Sequence, residues 1–539
     1  MSLAWRRCRE CSRKSKTKAN SSRRSCSGRK PRESRAYGQT PRPGFRHRRH
    51  PGWRVRSRNA PHAGRTRGAV PDRYPRPGWA EQSPLDWWEA LGRACRALMR
   101  DLGSPEISGI CAATTASTVV ACKRDGAPLR PALLWMDCRA ADEAERSSRS
   151  KNPVMDYVGG ANASEWLISK AMWLAGHEPA VYADADIICE CLDYINFMLT
   201  GRWVGSRMNA TCKWNYDSVQ GRFPAELYAE FGVEGLEAKL PPDIFAVGAP
   251  VEIVSAAAAE HLGLANRPIL SQGGVDAHIG MAAAGTMKPG EMLMIGGTSI
   301  VQLFQLDSQR PMDGFWGPYP HALVDDHWLV EAGQVSAGSV LTWFEKNLFE
   351  LDAAGSAALR QKAAAIPVGG TGLVTLDYFM GNRTPYREPL LRGAVIGLSL
   401  GHDRASLYRS AIESVALASA NVLKRARELE VPVERIVSSG GYAKNRLWLQ
   451  ATVDAIGLPV ELLREANLTI IGAAAAAATG AGLVPDLFAA AEAVQQEATV
   501  IAPDLAAHEI YKQLLGEYLE ATELLMPQSR RLAASQLRG

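Results

Sequence analysis

The sequence predicts an α/β protein whose two domains enclose a central cleft. At 539 residues the chain is long for a single hydrophobic core, so two domains are the natural expectation. From about Gly78 onward, helical and strand patterns alternate in both halves of the chain, as they do in sheets covered by helices. Ligands commonly bind between two lobes, which makes the cleft the expected place of a functional site.

The first half opens with an amphipathic helix that begins after Ser83, a suitable N-cap, and keeps one apolar face. Strands are expected in ISGICAA from Ile107 and in STVVACKR from Ser117. Residues 163–230 read as mostly helical, and the helix in DYINFMLTG ends at Gly201, a residue that terminates helices well.

The second half repeats the alternation of strands and helices. We predict strands at 291–296, 300–305, 372–376, 434–438 and 459–463. We predict helices at 334–348, 404–428, 444–456 and 470–480. The expected divisions are a leader (1–75), a first domain (76–258), a second domain (259–525) and a tail (526–539).

The leader differs sharply in composition from the rest of the chain. It carries 19 Arg and 4 Lys against three acidic residues, a net charge of +20, whereas the remainder is at −14. Without apolar periodicity it cannot offset the entropy of ordering, so we expect disorder. One interpretation is a basic nucleic-acid-binding arm. The interpretation we favour is translation from a shifted reading frame of GC-rich DNA, so a nucleic-acid partner is not expected.

Cysteine usage and hydropathy indicate a reduced compartment. The ten cysteines show no repeated spacing, which argues against a disulfide framework. Cys8 and Cys11 could be grouped with His47 and His50 as a zinc site, but the gap between the pairs is too long for a finger. The sequence shows neither a stretch apolar enough to span a membrane nor the apolar core of a signal peptide. We therefore expect a cytoplasmic protein without membrane association.

The run GGVDAHIG, from Gly273 to Gly280, places one carboxylate after two flexible residues. Gly274 and its neighbour let the backbone bend and a substrate approach closely. Asp276 is then a candidate general base for phosphoryl transfer, which needs a group that deprotonates an acceptor hydroxyl. The alternative is a turn with Asp276 as a helix N-cap.

Two glycine-rich turns are candidate phosphate cradles. EMLMIGGTSI supplies backbone N–H and hydroxyl donors at Gly297, Thr298 and Ser299, although a plain hairpin would look the same. VSSGGYAKNRLW runs from strand through a glycine pair into a helix, the order that aims a helix N-terminus at a nucleotide. An ordinary strand-to-helix loop is the alternative there.

LWMDCRAADEA contains a candidate substrate wall. On an extended chain Trp135, Asp137 and Arg139 would share one face. An aromatic ring beside a carboxylate and a guanidinium suits a polyhydroxylated ligand. A surface ion pair beside a buried tryptophan is the alternative.

The order of these motifs resembles the FGGY carbohydrate kinases. The resemblance runs from GWAEQSPLDWW near Gly78 to about residue 485. It includes LLWMDCRA, DYINFMLTG, GGVDAHIG, MLMIGGTS, GNRTPYREPLLRG and SSGGYAKNRLWLQATVDAIGLPV. It implies a two-domain actin-like (ribonuclease H-like) ATPase fold that phosphorylates sugars with ATP and Mg²⁺. WGPYPHALV, GNRTP and WMDCRAADEA look most like pentulose kinases of the ribulokinase group, with xylulokinase the near alternative.

By position, the resemblance implies a role for each candidate residue. Asp276 matches the catalytic base and the residue nearest the metal. Trp135, Asp137, Arg139 and Gly274 match the substrate side. The implied nucleotide-binding residues are Gly297, Thr298, Ser299, Gly338, Gly440, Gly441 and Asn445. The implied partners are a sugar and ATP, and whether the chain forms a homodimer stays open.

The start of the chain departs from the family. Family members open with a strand carrying Asp-x-Gly-Thr, the first phosphate loop, and no such motif occurs in this sequence. We expect that a frame error has replaced the first strands. The alternative to an active kinase is therefore a nucleotide-binding protein with impaired catalysis, because losing one charge-stabilising donor costs about a hundredfold in rate.

Overall fold

The computed structural model describes residues 2–3, 68, 70–465 and 467–536. These residues belong to one compact unit, which comprises residues 1–4 and 62–539. Nearly all of the basic leader lies outside the described residues, and so do the nucleic-acid-arm interpretation and the zinc grouping made from it.

Within the described ranges, short strands and helices alternate along the whole chain. The strands are β1 (Ser2–Leu3), β2 (Glu81–Gln82), β3 (Gly109–Ala112), β4 (Val119–Cys122), β5 (Ala132–Leu133), β6 (Ile187–Glu190), β7 (Val204–Ser206), β8 (Asp243–Phe245), β9 (Pro250–Ile253), β10 (Ile269–Ser271), β11 (Gly290–Gly296), β12 (Ile300–Leu306), β13 (Trp316–Pro320), β14 (Trp328–Gln334), β15 (Val374–Leu376), β16 (Ala394–Ile396), β17 (Val433–Gly440), β18 (Val460–Leu463) and β19 (Ala498–Ile501). The α-helices are α1 (Pro84–Asp101), α2 (Ala141–Ser147), α3 (Leu167–His177), α4 (Pro179–Asp184), α5 (Cys191–Thr200), α6 (Arg207–Lys213), α7 (Ala225–Glu230), α8 (Ala256–Leu262), α9 (Asp276–Ala284), α10 (Gly338–Trp343), α11 (Ala353–Ala364), α12 (Arg404–Glu428), α13 (Arg446–Ile456), α14 (Leu468–Gly480), α15 (Leu487–Ala493) and α16 (Leu505–Gln536). Short 3₁₀ turns lie at Pro153–Val158, Leu236–Lys239 and Gly441–Lys444, and a π-helical turn at Phe344–Leu348.

The first half is built on a four-stranded sheet of order β1-β3-β10-β9. β3 runs parallel to β1 and to β10, whereas β9 is antiparallel to β10. A second sheet, β2-β5-β4-β6, is antiparallel throughout. Residues 110–112 of β3 are all buried, as expected for a strand covered on both faces.

The second half is built on a seven-stranded sheet of order β13-β14-β12-β11-β17-β18-β19. β11, β17 and β18 are parallel, and the outer strands are antiparallel. One face is covered by α12 and α13 in a core that includes Phe304, Tyr408 and Trp448. On the other face, Leu293 of β11 shares a core with Ile279 of α9 and with the first-half sheet. That shared core ties the two halves together beside α9.

The caps explain why several predicted elements are confirmed. α1 begins after Ser83, whose Oγ accepts from the Asp86 N–H. α12 has the predicted bounds, because Asp403 accepts from the Ser406 N–H at 2.9 Å and starts the helix there. The predicted strands of the second half all coincide with strands of its sheets to within two residues at each end.

Two predictions need correction. The predicted helix 334–348 starts too early, since Gln334 ends β14, which pairs with β12, and the helix begins only at Gly338. The predicted tail 526–539 begins inside α16, where Ala533 is fully buried and continues the helix packing. In the part of the chain that is described, no helix is long and apolar enough to cross a membrane.

Candidate active site

Asp276 is the first residue of α9, where the chain has just left β10. Its backbone N–H donates to the Thr114 carbonyl at 2.8 Å, which fixes the start of the helix against the loop after β3. The side chain is partly exposed, and its Oδ1 accepts from the Ala277 N–H at 2.7 Å. A carboxylate placed in this way can take a proton from a bound hydroxyl.

The two glycines before Asp276 are required by close packing. A Cβ on Gly273 would lie 1.7 Å from the Ala112 carbonyl oxygen at the end of β3. A Cβ on Gly274 would lie 2.6 Å from Sδ of Met208 in α6. Any side chain would therefore push the Asp276 segment away from its neighbours. The predicted contact between Gly274 and a substrate stays a prediction.

A buried cluster of charged residues lies beside α9. Glu331 of β14 is only 8% exposed, and its Oε2 lies 3.2 Å from Nζ of Lys213, the last residue of α6. Nε2 of His278, two residues beyond Asp276, lies 3.5 Å from the same oxygen. Nη1 of Arg383 lies 3.5 Å from Oε1. Residues far apart in the sequence thus meet beside the helix that Asp276 begins.

The electrostatics of the cluster keep Glu331 charged. Burial by itself would raise the pKa of Glu331, but Lys213, His278 and Arg383 hold that pKa well below its usual range. Nδ1 of His278 is buried and makes no hydrogen bond. Buried polar atoms without a partner are uncommon and are often completed by water or a ligand.

Aromatic rings flank the same cluster. Nζ of Lys213 lies 4.7 Å from the ring centre of Trp166 and 5.6 Å from that of Tyr319. The Trp166 ring packs against Trp316 at 4.9 Å between centroids. Rings beside charged groups suit a ligand with C–H faces and hydroxyls.

The predicted wall of Trp135, Asp137 and Arg139 is only partly formed. Trp135 is 46% exposed, but the chain turns at residues 135–136, so alternate residues no longer share a face. Nη2 of Arg139 lies 2.7 Å from Asp137 and 2.8 Å from Glu81, and the guanidinium stacks over Trp79. Asp137 and Arg139 therefore lie behind the surface, where they hold the turn that presents Trp135. A substrate contact of Trp135 stays a prediction.

The predicted phosphate turn lies between β11 and β12. The Gly297 N–H donates to the Ser299 carbonyl at 2.8 Å, which closes the turn, and Thr298 is exposed. The Gly338 N–H at the start of α10 donates to the Gly297 carbonyl at 3.1 Å. A Cβ on Gly338 would lie 2.4 Å from that oxygen, so only glycine permits this approach.

The second glycine turn adjoins the first. Gly440 ends β17 and pairs with Gly296 at the end of β11. Its φ is +119°, and a Cβ would lie 2.1 Å from the Gly296 carbonyl oxygen, whereas Gly441 faces open space. Asn445 caps α13 by accepting from the Trp448 N–H at 3.3 Å. The structure thus brings Gly297, Gly338 and Gly440 together, and their binding of a nucleotide stays a prediction.

One segment connects these turns to Asp276. The Oγ of Ser439 in β17 donates to the Glu465 carbonyl at 3.0 Å, just before α14. Thr469 in the first turn of α14 donates from Oγ1 to the Asp276 carbonyl at 2.9 Å. The candidate base and the glycine turns therefore all follow the carboxyl ends of parallel strands, where α/β folds place ligands.

No sequence pattern had marked Lys213, Glu331 and His278 as site residues. A charged residue inside the mostly apolar strand WLVEAGQ was the available signal for Glu331. His278 stood inside a motif already singled out, but nothing in the sequence linked it to Lys213.

The described residues could hold Mg²⁺ through a carboxylate together with substrate phosphates, but not by themselves. Among them, no group of three or more His, Cys, Asp or Glu could bind a metal ion by itself. Mg²⁺ is commonly held by one or two carboxylates together with substrate phosphates, and the partly exposed Asp276 suits such a site.

Two α/β halves, with a carboxylate and glycine-lined turns at the ends of their strands, define a phosphotransferase of the kinase class. The comparisons with known proteins agree. Residues 55–283 match the N-terminal domain of the FGGY family of carbohydrate kinases, and residues 292–481 match its C-terminal domain. The chain belongs to the FGGY family and is a carbohydrate kinase. The first match begins at residue 55 and the second at residue 292, and the predicted division of the chain into domains stays a prediction.

Individual relatives point the same way. The chain is 30% identical to the ribulokinase of Shouchella clausii over 82% of this chain and 85% of that protein. It is 26% identical to the xylulose kinase of Staphylococcus epidermidis over 86% and 91%. The crystal structure of xylulose kinase from Rhodospirillum rubrum superposes with a TM-score of 0.77 at 27% identity, covering 85% of this chain and 93% of that one. The fold is the two-domain actin-like ATPase fold of these kinases, and kinases of this family use ATP, with Mg²⁺ as the usual metal.

Proposed function

We propose that the chain catalyses ATP-dependent phosphorylation of a hydroxyl on a pentulose of the ribulose or xylulose type, with Asp276 as general base. The observation that carries this proposal is the buried cluster of Lys213, Glu331 and His278 on and beside the helix that Asp276 begins. The names of the relatives, ribulokinase and xylulose kinase, support a five-carbon keto sugar. Cytoplasmic location stays a prediction.

On the acceptor side, the cluster offers complementary partners for sugar hydroxyls. The Lys213 ammonium donates and the Glu331 carboxylate accepts, so one hydroxyl can be bound by both. The rings of Trp166 and Trp135 can cover C–H faces of the sugar. Asp276 then takes the proton of the reacting hydroxyl as its oxygen forms a bond to the γ-phosphorus of ATP, and the bond from that phosphorus to the β,γ-bridging oxygen breaks to release ADP.

On the donor side, we assign the phosphates to the backbone N–H groups of the turns at 297–299, Gly338 and residues 440–441. Fixed N–H donors stabilise phosphoryl oxygens without reorganising during the reaction. Asn445 would contact the nucleotide beside them. Magnesium, when bound, would neutralise charge on the phosphates, and Asp276 is the residue that would hold it.

A protein that binds nucleotide without turnover is the competing function. The specific observation behind it is that the sequence lacks the Asp-x-Gly-Thr loop of its family. In the described residues, the place beside β3 is taken by the two residues of β1. Fewer phosphate contacts would lower the rate more than the affinity, since such donors act mainly on the transition state.

A coupled assay of ADP release over a panel of pentuloses, hexoses and polyols tests the proposal, with titration calorimetry of Mg-ATP alongside. Asp276→Asn is expected to lower kcat by about 10²- to 10⁴-fold with ATP affinity nearly unchanged. Asp486→Asn, at the N-cap of α15, is the matched control and should stay within about twofold of the wild type. Retained turnover in Asp276→Asn would remove it as the base, and ATP binding with no turnover on any sugar would favour the competing function.

A further inference from the structure

The loop at residues 114–118 faces the candidate base across a two-way backbone contact. The Thr114 N–H donates to the Gly274 carbonyl at 3.3 Å, and the Asp276 N–H donates back to Thr114 at 2.8 Å. Thr115 and Ala116 are partly exposed, whereas residues 117–118 are buried. We call residues 114–118 the acceptor loop, because it presents its open residues beside Asp276.

Ser117 has an unusual conformation in this loop. Its φ is +68°, in the left-handed region that residues with a Cβ seldom occupy, and it is only 4% exposed. Such a backbone is unfavourable for a residue with a Cβ and persists only where its surroundings impose it. The neighbours of Ser117 must therefore supply the constraint.

Two buried side chains of opposite charge form hydrogen bonds with the backbone of Ser117. Its N–H donates to Oε2 of Glu190 at 2.8 Å, and its carbonyl accepts from Nζ of Lys170 at 2.7 Å. Both side chains are fully buried. Charge-assisted hydrogen bonds of this kind are about twice as strong as neutral ones. Together the two hydrogen bonds fix the N–H and the carbonyl group of Ser117.

The same two side chains extend to the other parts of the acceptor side. Lys170 also donates to the Leu134 carbonyl at 2.7 Å, immediately before Trp135. Glu190 also accepts from Asn209 at 2.8 Å and from Trp214 at 2.9 Å, in and just after the helix that ends with Lys213. The acceptor loop, the Trp135 turn and α6 are thus connected through two charges.

Keeping these charges buried is costly, which makes a purely stabilising role a poor explanation. Burial lowers the pKa of Lys170 to about 8, and burial also raises the pKa of Glu190. Apolar residues of similar volume often serve stability equally well or better than buried charges. What the two buried charges provide is a fixed backbone conformation at Ser117.

We infer that Lys170 and Glu190 are positioning residues that hold Ser117 in its left-handed conformation and thereby set how the acceptor loop receives the sugar. The inference rests on the proposed function, because it concerns the specificity of the same site. Neither side chain touches the reacting atoms. Their effect should appear in the KM for the sugar rather than in the KM for ATP.

The test uses the full chain and a rescue by glycine, which adopts positive φ without help. Lys170→Met is expected to raise the sugar KM about tenfold or more and to leave the KM for ATP within about twofold. Adding Ser117→Gly to Lys170→Met should recover most of that loss. An unchanged sugar KM in Lys170→Met, or a double variant no better than the single one, overturns the inference.

If Lys170→Met does not fold, Glu190→Gln replaces it, since it keeps the volume and removes the charge. The same rescue by Ser117→Gly is expected, and its absence overturns the inference. Amide hydrogen exchange of residues 114–118 separates this outcome from a failure of the proposed function. Faster exchange in either charge variant, restored by Ser117→Gly, supports the positioning role even if the wild type phosphorylates no sugar, and unchanged exchange refutes it.

Discussion

Replacing Asp377 by asparagine should make the protein's stability less dependent on pH. Asp377 follows β15 and is only 3% exposed. Its Oδ1 accepts from the Tyr518 hydroxyl of α16 at 2.7 Å and from Ser414 at 3.4 Å, and its carbonyl accepts from Ser336 at 2.8 Å. The residue therefore anchors the last helix beside the segment that leads to Gly338.

The magnitude follows from the position of the Asp377 pKa. Burial raises the pKa of Asp377 from 3.8 to about 7, despite the hydrogen bond from Tyr518. Because the folded-state pKa is the higher one, the stabilisation is complete below about pH 4 and is lost as pH rises toward 7. Between pH 5 and pH 8 the wild type should lose roughly 2–3 kcal/mol that the neutral asparagine does not lose.

Thermal melting of both proteins from pH 5 to pH 8 measures this difference. The melting temperature of Asp377→Asn relative to the wild type is expected to rise by roughly 2–3 °C over that range. Asp403→Asn is the control, because hydrogen bonds from Ser406 lower the pKa of Asp403 and its carboxylate stays ionised throughout. The difference in melting temperature between Asp377→Asn and the wild type should change with pH more than the difference for Asp403→Asn does. If both differences are equally independent of pH, the Asp377 carboxyl group does not titrate near pH 7.

Three further changes test the candidate site. Gly440→Ala should weaken ATP binding by about 10- to 100-fold in titration calorimetry, because a Cβ would lie 2.1 Å from the Gly296 carbonyl oxygen at a φ of +119°. Lys213→Met should raise the KM for the sugar by roughly 10- to 100-fold in the coupled assay, since it leaves a buried carboxylate without its closest cation. Gly273→Ala should lower the melting temperature by about 1–3 °C, because its methyl would meet the Ala112 carbonyl oxygen at 1.7 Å.

Each change has a matched control. Gly482 also has a positive φ, +68°, but a methyl group there would meet nothing within 4 Å. Gly482→Ala should therefore leave the affinity for ATP unchanged. Lys123→Met removes a surface lysine paired with Asp184 and should leave the sugar KM unchanged. Gly176→Ala adds a methyl to α3 in open space and should not lower the melting temperature. Equal effects in a variant and its control would contradict the assigned cause.

Local patterns predicted much of the fold. Caps at Ser83 and Asp403 fixed the starts of α1 and α12, because a side-chain acceptor for the first free N–H groups is a property of a few consecutive residues. Glycine pairs marked the turns before α9 and after β17 for a similar reason, since Gly273, Gly274 and Gly440 leave no room for a Cβ. The prediction for Trp135, Asp137 and Arg139 failed in part because a local turn replaced the assumed extended chain.

The sequence by itself determined which residues could form strands, turns and helix ends, and through six ordered motifs it determined the family. Only the tertiary structure decided that Lys213 and Glu331, 118 residues apart, meet beside the helix of Asp276. It also decided that Lys170 and Glu190 close on one strained residue of the acceptor loop. Such pairs come from long-range packing, in which a charge is tolerated in the core only where another segment supplies its partner, and no local pattern records which segment that is.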